Sequence, residues 1–358
     1  MTFSWLEGGL VGIHALLWCT LLGNLWYLRR HRTRSPVSDA PSISVLIPAR
    51  NEARNLRRLI PSLLSQTYPK VEIIVYDDGS EDGTWAVLES FEDERLRPMR
   101  GDGPPPGWVG KVHALYQTTQ AATGDHYLFL DADAELRGPD ALQRIVERYA
   151  SLPPKSILTG LPRLAGGAAL LVSLVPNAIL TGLPWPLVRP IRSNALGALN
   201  GQCWMVDAET YHAFEPHETL PNEVLEDVEI GRYLKRQGYT PVLVDLQEEL
   251  SIYMYESFDA AWKGFRKNAY LLLGGSPFSF AILFVLFATT FVLSPLVALP
   301  LIGSVYGLKA LTDWRNGFPL WVSVLAPVSY LLASILQADS AWHHLRGRVS
   351  WKGRRVGA

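Results

Sequence analysis

The chain of 358 residues is long enough for one large domain or two ordinary ones, each with an ample core. Its 33 Lys and Arg nearly balance its 34 Asp and Glu, so the charge gives no indication of a nucleic-acid partner. The two cysteines, Cys19 and Cys203, argue against a disulfide framework and against a thiolate zinc site. Hydrophobic residues make up 48% of the chain, which is high for a soluble globular protein, and they concentrate at its two ends.

The first apolar segment, residues 8–28, is long enough to cross a bilayer. No basic residue precedes it and a basic run comes directly after it at 29–34, which is the reverse of the charge order in a cleaved signal peptide. The positive-inside tendency places the basic run, and the α/β part of the chain after it, in the cytoplasm. We therefore predict an amino-terminal transmembrane anchor with its basic flank over residues 1–34.

Strand-like and helix-like patterns alternate after a short linker at residues 35–41. The predicted strands are residues 42–48, 71–76 and 126–130, and the predicted helices begin near Asn51, Asp82 and Gly110. This alternation predicts an α/β domain, a mostly parallel sheet flanked by helices, over residues 35–275. Because ligands of such sheets bind beyond the carboxyl ends of the strands, the polar residues at those ends should converge on one cleft.

Two acidic motifs come directly after predicted strands. Asp131 and Asp133 of the Asp131-Ala132-Asp133 motif suit a hard divalent cation such as Mg²⁺ or Mn²⁺, which can in turn hold a diphosphate. An ordinary Asp-rich turn is the alternative. In the motif that begins with Asp77 and Asp78, one carboxylate can accept a hydrogen bond from a nucleobase while the next glycine lets the backbone approach closely. This motif is equally compatible with a plain turn and helix cap.

Further candidates lie at the starts of two predicted helices. Lys111 comes after two glycine-marked turns and suits a phosphate group, although a solvated lysine has the same pattern. Glu226 and Asp227 stand early in a helix predicted over 224–237, where the helix dipole alone would explain acidic residues. The functional hypothesis makes Asp227 a general base that accepts a proton from a hydroxyl group.

The carboxyl-terminal part has two more apolar segments of spanning length, residues 278–306 and 318–338, and prolines interrupt the first. We predict transmembrane helices over 276–340 and a basic cytoplasmic tail over 341–358, which gives three spans in a multi-pass protein of a cell inner membrane. The apolar, proline-rich segment 168–190 is interpreted as an interfacial element lying on the membrane, with a core helix plus loop as the alternative.

Taken in order, these motifs resemble the membrane-bound family 2 glycosyltransferases, whose catalytic domain has the GT-A fold. The residues that carry the resemblance are 47–52, 77–80, 107–111, 131–133, 200–202, 226–227 and 264–268. The elements at 107–111 and 264–268 are similar to those of the branch that acts on carotenoid, hopanoid and ceramide-type lipids. The chain lacks the Gln-x-x-Arg-Trp motif that processive polysaccharide synthases carry before their later membrane helices.

The resemblance implies a metal-dependent, inverting transfer of one hexose from a nucleotide-diphosphate sugar, with a UDP-sugar favoured, to a lipid acceptor at the bilayer. It implies that the donor is bound by Pro48, Ala49, Arg50, Glu52, Asp77, Asp78, Lys111, Asp131, Ala132, Asp133 and Gln202. It implies a catalytic pair of Asp227, the base, and Glu226, and it favours Asp133 over Asp131 as the direct ligand of Mg²⁺ or Mn²⁺.

Trp262, Arg266 and Lys267 are interpreted as groups that stabilise a leaving diphosphate or that anchor the chain at the membrane interface. Other interpretations stay open at this point. The acceptor could be a polyprenyl phosphate, which is already anionic and needs no base, or a cell-surface polysaccharide. A membrane transport or scaffold protein that only binds nucleotides is the alternative from another class.

Overall fold

The computed structural model describes residues 5–37 and 39–355. Residues 1–4 of the predicted anchor, Ser38 of the predicted linker and residues 356–358 of the predicted tail lie outside the described part. Within the described part, an α/β domain is followed by a carboxyl-terminal group of helices, and the amino-terminal helix packs against that group.

The strands are numbered in chain order. They are β1 (Ile43–Ala49), β2 (Val71–Asp78), β3 (Leu96–Gly101), β4 (His126–Leu130), β5 (Ala134–Leu136), β6 (Ser156–Leu161), β7 (Arg163–Ala165), β8 (Cys203–Asp207), β9 (Thr240–Asp245), β10 (Leu250–Tyr253), β11 (Ser350–Trp351) and β12 (Arg354–Arg355). Among the described residues, the main sheet has the order β3-β2-β1-β4-β8-β6-β9, a smaller sheet has the order β5-β10-β7, and β11 pairs with β12.

The helices are also numbered in chain order. They are α1 (Trp5–Arg30), α2 (Ala53–Leu64), α3 (Thr84–Glu89), α4 (Gly110–Ala121), α5 (Ala141–Ala150), α6 (Ala169–Val172), α7 (Leu174–Gly182), α8 (Trp185–Val188), α9 (Ala208–Phe214), α10 (Pro216–Thr219), α11 (Glu226–Arg236), α12 (Phe258–Leu272), α13 (Pro277–Ala288), α14 (Ser294–Val297), α15 (Leu299–Asn316), α16 (Leu320–Val324) and α17 (Ala326–His344). A 3₁₀ turn at Asn194–Leu196 and a π-helical turn at Thr289–Leu293 complete the described elements.

The predicted mostly parallel sheet is confirmed. Strands β1, β2, β3 and β4 run parallel to one another, and β1 pairs with both β2 and β4. The inner residues of β1, β2 and β4 are buried on both faces, which explains why these three segments are continuous apolar runs rather than alternating ones. Helix α2 buries Leu56, Leu59 and Leu63 against the sheet, at the spacing of one helical face. An antiparallel strand, β8, lies between β4 and β6.

The order of the strands creates the cleft. The chain runs outward from β1 to β2 and β3, and then returns to place β4 on the other side of β1. This is a topological switch point, where the loops after two neighbouring parallel strands diverge and leave a crevice. The loops after β1, β2 and β4 begin at Arg50, Gly79 and Asp131, so the candidate residues meet at one edge of the sheet.

The segment predicted as an interfacial element, 168–190, forms α6, α7 and α8. It packs against α1 and α15, and the buried Asn24 amide of α1 donates hydrogen bonds to the carbonyl groups of Leu180 and Leu183, each at 2.8 Å. The segment therefore joins the α/β domain to the flanking helices. That it also lies on a membrane surface stays a prediction.

Two helices of the described residues, Glu7–Arg30 and Pro277–Val297, are long and apolar enough to cross a membrane. The second ends at Ala298, where the backbone is extended, in agreement with the break expected from the prolines there. The third predicted span, 318–338, is divided between α16 and α17, and α17 continues into the polar residues Asp339 and His343. It does not meet the same criterion of length and apolarity in the described residues.

Candidate functional site

A cavity of about 1330 Å³ begins at the carboxyl edge of β1, β2 and β4 and extends towards the flanking helices. At the sheet edge it is lined by the predicted residues Pro48, Ala49, Arg50, Glu52, Asp78, Lys111, Asp131, Ala132, Asp133, Gln202, Glu226, Asp227 and Lys267. The fold thus brings together residues that are up to about two hundred positions apart in the chain. Asp77 is an exception because it is fully buried beneath the edge, where its carboxylate accepts a hydrogen bond from the Ser80 N–H at 3.1 Å.

The loops after β1 and β2 are tied to each other. The Arg50 guanidinium donates to the carbonyl oxygens of Asp78 and Gly79 at 2.7 and 3.2 Å. The N–H of Asn51 donates to the Ser80 hydroxyl at 2.8 Å, and Asn51 itself has a left-handed backbone with φ of 51°. These bonds make the two loops one wall of the cavity, so that substitutions in either loop should disturb both.

The carboxylate of Asp133 is buried and incompletely paired. Its Oδ1 atom is buried and has no hydrogen-bond partner among the described residues. Burial, followed by the nearby Asp131 and Glu52 charges, raises the pKa of Asp133 to about 7. A buried charge without a partner is costly, and two carboxylates that share a site repel each other. A divalent cation would relieve both penalties at once.

The residues present fit the Mg²⁺ or Mn²⁺ expected from the sequence. Both cations take oxygen ligands and are commonly shared between one or two protein carboxylates and the phosphates of a substrate. Asp131 and Asp133 supply such a pair, since both line the cavity and one Asp133 oxygen is buried without a hydrogen-bond partner. In the described part of the chain, no three His, Cys, Asp or Glu side chains form a complete metal-binding group by themselves.

Lys111 connects the two acidic motifs. It is the second residue of α4, and its ammonium lies 2.8 Å from an Asp131 carboxylate oxygen and 2.9 Å from a Glu226 carboxylate oxygen. Burial opposes its charge, but Asp131 and Glu226 raise the pKa of Lys111 well above its ordinary value. The site therefore holds a permanent cation between the loop after β4 and the start of α11, where an anionic group can reach it.

Asp227 is held by backbone groups at the start of α11. The N–H groups of Gly201 and Val228 donate to its two carboxylate oxygens at 2.8 and 2.9 Å. A Cβ atom on Gly201 would lie only 2.9 Å from that carboxylate, so this approach requires a glycine. Burial, followed by the neighbouring Glu226 charge, raises the pKa of Asp227 to about 6. A positioned carboxylate whose pKa lies near neutrality suits a general base.

Glu226 differs from its neighbour. Burial alone would raise its pKa, but Lys111 and Lys267 bring the pKa of Glu226 below its ordinary value. Its charge is thus compensated within the site, whereas Asp227 can exchange a proton near neutral pH. Two adjacent acids with pKa values displaced in opposite directions mark different chemical roles.

Trp262, Arg266 and Lys267, which were expected at a leaving diphosphate or at the membrane interface, all lie on α12. They do not share one environment. Trp262 donates through its indole N–H to Asp339 of α17 at 2.9 Å, and the Arg266 guanidinium lies 3.6 Å from the same carboxylate. Lys267, one position on, faces the cavity instead. Successive residues of a helix point about 100° apart. Arg266 therefore faces α17 while the next residue, Lys267, faces the cavity.

Two residues of the carboxyl-terminal tail, which were not among the predicted site residues, also reach the site. Lys352 donates to the Arg50 carbonyl oxygen at 2.6 Å and pairs with the Glu52 carboxylate. Arg354 pairs with the Asp78 carboxylate, and both tail residues line the cavity. Their cationic side chains are visible in the sequence, but only as part of a basic tail that agrees with a cytoplasmic location.

The fold is that of the GT-A class. The structure is similar, with a TM-score of 0.54 and 17% identity, to that of the mannosyltransferase PcManGT from Pyrobaculum calidifontis in complex with GDP-Man and Mn²⁺. The similarity covers 96% of this chain and 100% of that one. Residues 44–167 match the family described as glycosyl transferase family 2. The matched residues therefore form a glycosyl transferase family 2 domain, and this match supports a glycosyltransferase.

Relatives of known activity point in the same direction. The 4,4'-diaponeurosporenoate glycosyltransferase of Staphylococcus haemolyticus is 26% identical over 266 residues, which cover 72% of this chain and 68% of that protein. The enzyme of the same name from Staphylococcus aureus is 24% identical over 271 residues, covering 71% and 68%. The resemblance to carotenoid glycosyltransferases is thereby confirmed, while the acceptor of this chain and the roles of individual site residues stay predictions.

Proposed function

We propose that this protein transfers a single hexose from a nucleotide-diphosphate sugar to a membrane lipid, with Mg²⁺ or Mn²⁺ as cofactor and inversion at the anomeric carbon. A UDP-sugar is the first donor to test. The solved mannosyltransferase with the same fold was captured with a nucleotide sugar and Mn²⁺, which supports the donor class and the cation. The named activity of the relatives supports a carotenoid-like acceptor.

The observation that carries the lipid acceptor is the continuity of the cavity. One end is lined by Asp133, Lys111 and Asp227, and the other is apolar. The apolar walls come from α1, α7, α8, α13, the π-helical turn and α17, and include Leu17, Ile179, Trp185, Phe287, Phe291, Tyr330 and Leu336. Ligand sites of this kind combine an apolar wall with a few polar groups that fix orientation. An elongated apolar molecule could therefore lie among the helices with its reactive oxygen at Asp227.

The proposed location is derived from the same helices. α1 and the segment Pro277–Val297 are candidate membrane spans and flank the apolar end of the cavity. An acceptor dissolved in a bilayer would then reach the site without crossing water. We place the α/β domain on the cytoplasmic side, where nucleotide sugars are made available and where the basic run 29–34 favours it.

In the proposed reaction, Asp227 accepts the proton of an acceptor hydroxyl as its oxygen attacks the anomeric carbon. The new C–O bond forms on the face opposite the leaving nucleoside diphosphate, whose bond to the same carbon breaks, so the configuration inverts. The Lys111 ammonium is positioned to stabilise the negative charge that develops on the leaving group. A cation held by Asp133 and Asp131 would add to that charge stabilisation.

A radiolabel transfer assay tests this proposal. Purified protein in membranes would be offered several labelled nucleotide sugars, total lipid extract and Mn²⁺ or Mg²⁺. Label that enters the organic phase only with a divalent cation supports lipid glycosylation, and the mass of the product identifies the acceptor. Label confined to a polyprenyl phosphate or to a polysaccharide would replace the proposed acceptor, and no transfer with any donor would overturn the proposal.

The rate should depend on pH through Asp227. Because its pKa is raised to about 6, the carboxylate is ionised above that pH and protonated below it. A base must be deprotonated to act, so we expect kcat/KM to fall as the pH is lowered through about 6. The measurement is a pH profile with a hydroxyl acceptor. An Asp227→Asn variant whose residual rate keeps the same acidic limb would contradict the assignment.

A bulky side chain in the apolar end of the cavity should weaken binding of the lipid acceptor and leave binding of the nucleotide sugar unchanged. Ala178 on α7 is exposed and lines the cavity, so Ala178→Trp places an indole in the cavity without overpacking the core. We expect KM for the lipid to rise about tenfold, the scale of a 1–3 kcal/mol pocket effect, with KM for the nucleotide sugar unchanged. Ala86→Trp on the exposed side of α3 is the matched control. Equal acceptor KM values in the two variants would contradict the proposed lipid path.

A further inference from the structure

The carboxyl-terminal tail forms a hairpin that docks at the sheet edge of the cavity. Strands β11 and β12 pair antiparallel, and Gly353 makes the turn between them with φ of 81°. Two hydrogen bonds join the hairpin to Arg50. The Lys352 ammonium donates to the Arg50 carbonyl oxygen, and the Arg50 guanidinium donates to the Lys352 carbonyl oxygen at 3.1 Å. It is too short to be stable alone, so its contacts with the site hold it.

Arg354 fills a notch at the end of β2. Its guanidinium pairs with the Asp78 carboxylate and donates to the Asp78 carbonyl oxygen at 3.1 Å. Glycines form the walls of the notch, since Cβ atoms on Gly103, Gly110 and Gly79 would lie 2.6, 3.4 and 3.5 Å from the guanidinium nitrogens. With the hairpin docked, Asp78 is only 3% exposed. A planar, N–H-bearing group thus occupies the surroundings expected for a nucleobase.

Lys352 occupies a second part of the same site. Its ammonium pairs with Glu52, and it lies close enough to Asp133 to oppose the rise in that residue's pKa. Arg354 therefore neutralises the Asp78 carboxylate at the nucleoside end of the proposed donor site. Lys352 neutralises Glu52 near Asp133, where the divalent cation would bind. Both side chains remain partly open to solvent, Lys352 at 25% and Arg354 at 29%, so the docked hairpin has a direct route of release.

We propose that the hairpin, residues 350–355, occupies the nucleoside end of the donor site when no donor is bound, and that a nucleotide must displace it. This inference rests on the proposed function, because it takes Asp78 as a nucleotide-binding residue. Arg354 pairs with one Asp78 carboxylate oxygen and the other oxygen is buried, so a nucleobase could not reach the carboxylate while Arg354 is in place. The tail is then an internal competitor, and the apparent nucleotide affinity is reduced by the fraction of molecules in which the site is open.

The test measures nucleotide binding to the full-length protein and its variants by calorimetry, with UDP and GDP, each with Mn²⁺. If the hairpin is docked in about nine-tenths of the molecules, Arg354→Ala should lower Kd roughly tenfold. Lys352→Ala should lower Kd in the same direction. Arg348→Ala removes an equal charge from an exposed position outside the hairpin and should leave Kd unchanged. A higher Kd for Arg354→Ala, an unchanged one, or no binding by any form would overturn the inference.

Hydrogen exchange of the hairpin amides provides the second measurement. Adding the nucleotide that binds should accelerate exchange over residues 350–355, because the displaced hairpin loses its contacts. Slower exchange would show instead that the tail closes over the bound nucleotide, and would overturn the inference. Both measurements are independent of transfer. Tighter binding in Arg354→Ala without label in lipid would leave this inference standing while the proposed acceptor fails.

Discussion

Replacing Asp227 by asparagine is expected to lower the rate of transfer to a lipid hydroxyl by about 10²–10⁴-fold, the range of general base catalysis. Asparagine cannot accept the proton, and its amide NH₂ would face one of the two N–H groups that now donate to the carboxylate. Nucleotide binding should be nearly unchanged because Lys111 and the loops after β1 and β2 remain. The measurement is kcat for transfer beside Kd for the nucleotide.

Glu229→Gln is the matched control for that variant. Glu229 is an acid of the same helix that pairs with Arg232, and it is not among the residues that line the cavity. We expect it to retain activity. Full activity of Asp227→Asn would contradict the base assignment and favour an acceptor that is already anionic, such as a phosphate. Loss of nucleotide binding by Asp227→Asn would show instead that the substitution disturbs the whole site.

Replacing Asp133 by asparagine should abolish most binding of Mn²⁺ in the presence of nucleotide. It removes the carboxylate oxygen that is buried without a partner beside a second carboxylate. Losing about 3 kcal/mol of charge stabilisation by the cation would lower transfer by about 10²-fold. Direct titration of Mn²⁺ by electron paramagnetic resonance measures the effect without relying on the reaction.

The stability of the metal-free protein separates this explanation from misfolding. Removal of one of two repelling carboxylates should leave the melting temperature unchanged or slightly raised. Asp259→Asn serves as the control, since that carboxylate is exposed on α12 and pairs with Lys263. Unaltered Mn²⁺ affinity in Asp133→Asn would exclude Asp133 as a ligand. A large fall in melting temperature would show that the residue is needed for the fold itself.

Much of the α/β domain was predictable because its signals are local. The continuous apolar runs of β1, β2 and β4 are typical of parallel strands buried on both faces, and α2 has its leucines on one face. Once the strands are parallel, their carboxyl ends must share an edge. That is why Asp78, Asp131 and Arg50 could be assigned to one cleft before any contact was known.

Other features depend on contacts between distant residues, which no local pattern records. The antiparallel β8 lies between β4 and β6 because of the path of the chain. The break of the third predicted span at Leu325, between α16 and α17, also depends on packing between distant parts of the chain. The apolar run 318–338 contains residues whose burial comes from packing with other helices, and hydropathy does not distinguish such residues from those facing lipid.

The sequence by itself determined where the candidate groups gather, because parallel strands bring their carboxyl ends, and the carboxylates that follow them, to one edge of the sheet. The class of chemistry came from the resemblance of the ordered motifs to family 2 glycosyltransferases. Only the tertiary structure decided which of the carboxylates is neutralised by a neighbouring cation and which can exchange a proton near neutral pH. Lys111 and Lys267 overcome the effect of burial and lower the pKa of Glu226, whereas burial and the Glu226 charge raise the pKa of Asp227 to about 6. Tertiary packing also brings Arg354 against Asp78, 276 positions away. Charge interactions depend on distance and burial in space, and neither quantity can be read from separation along the chain.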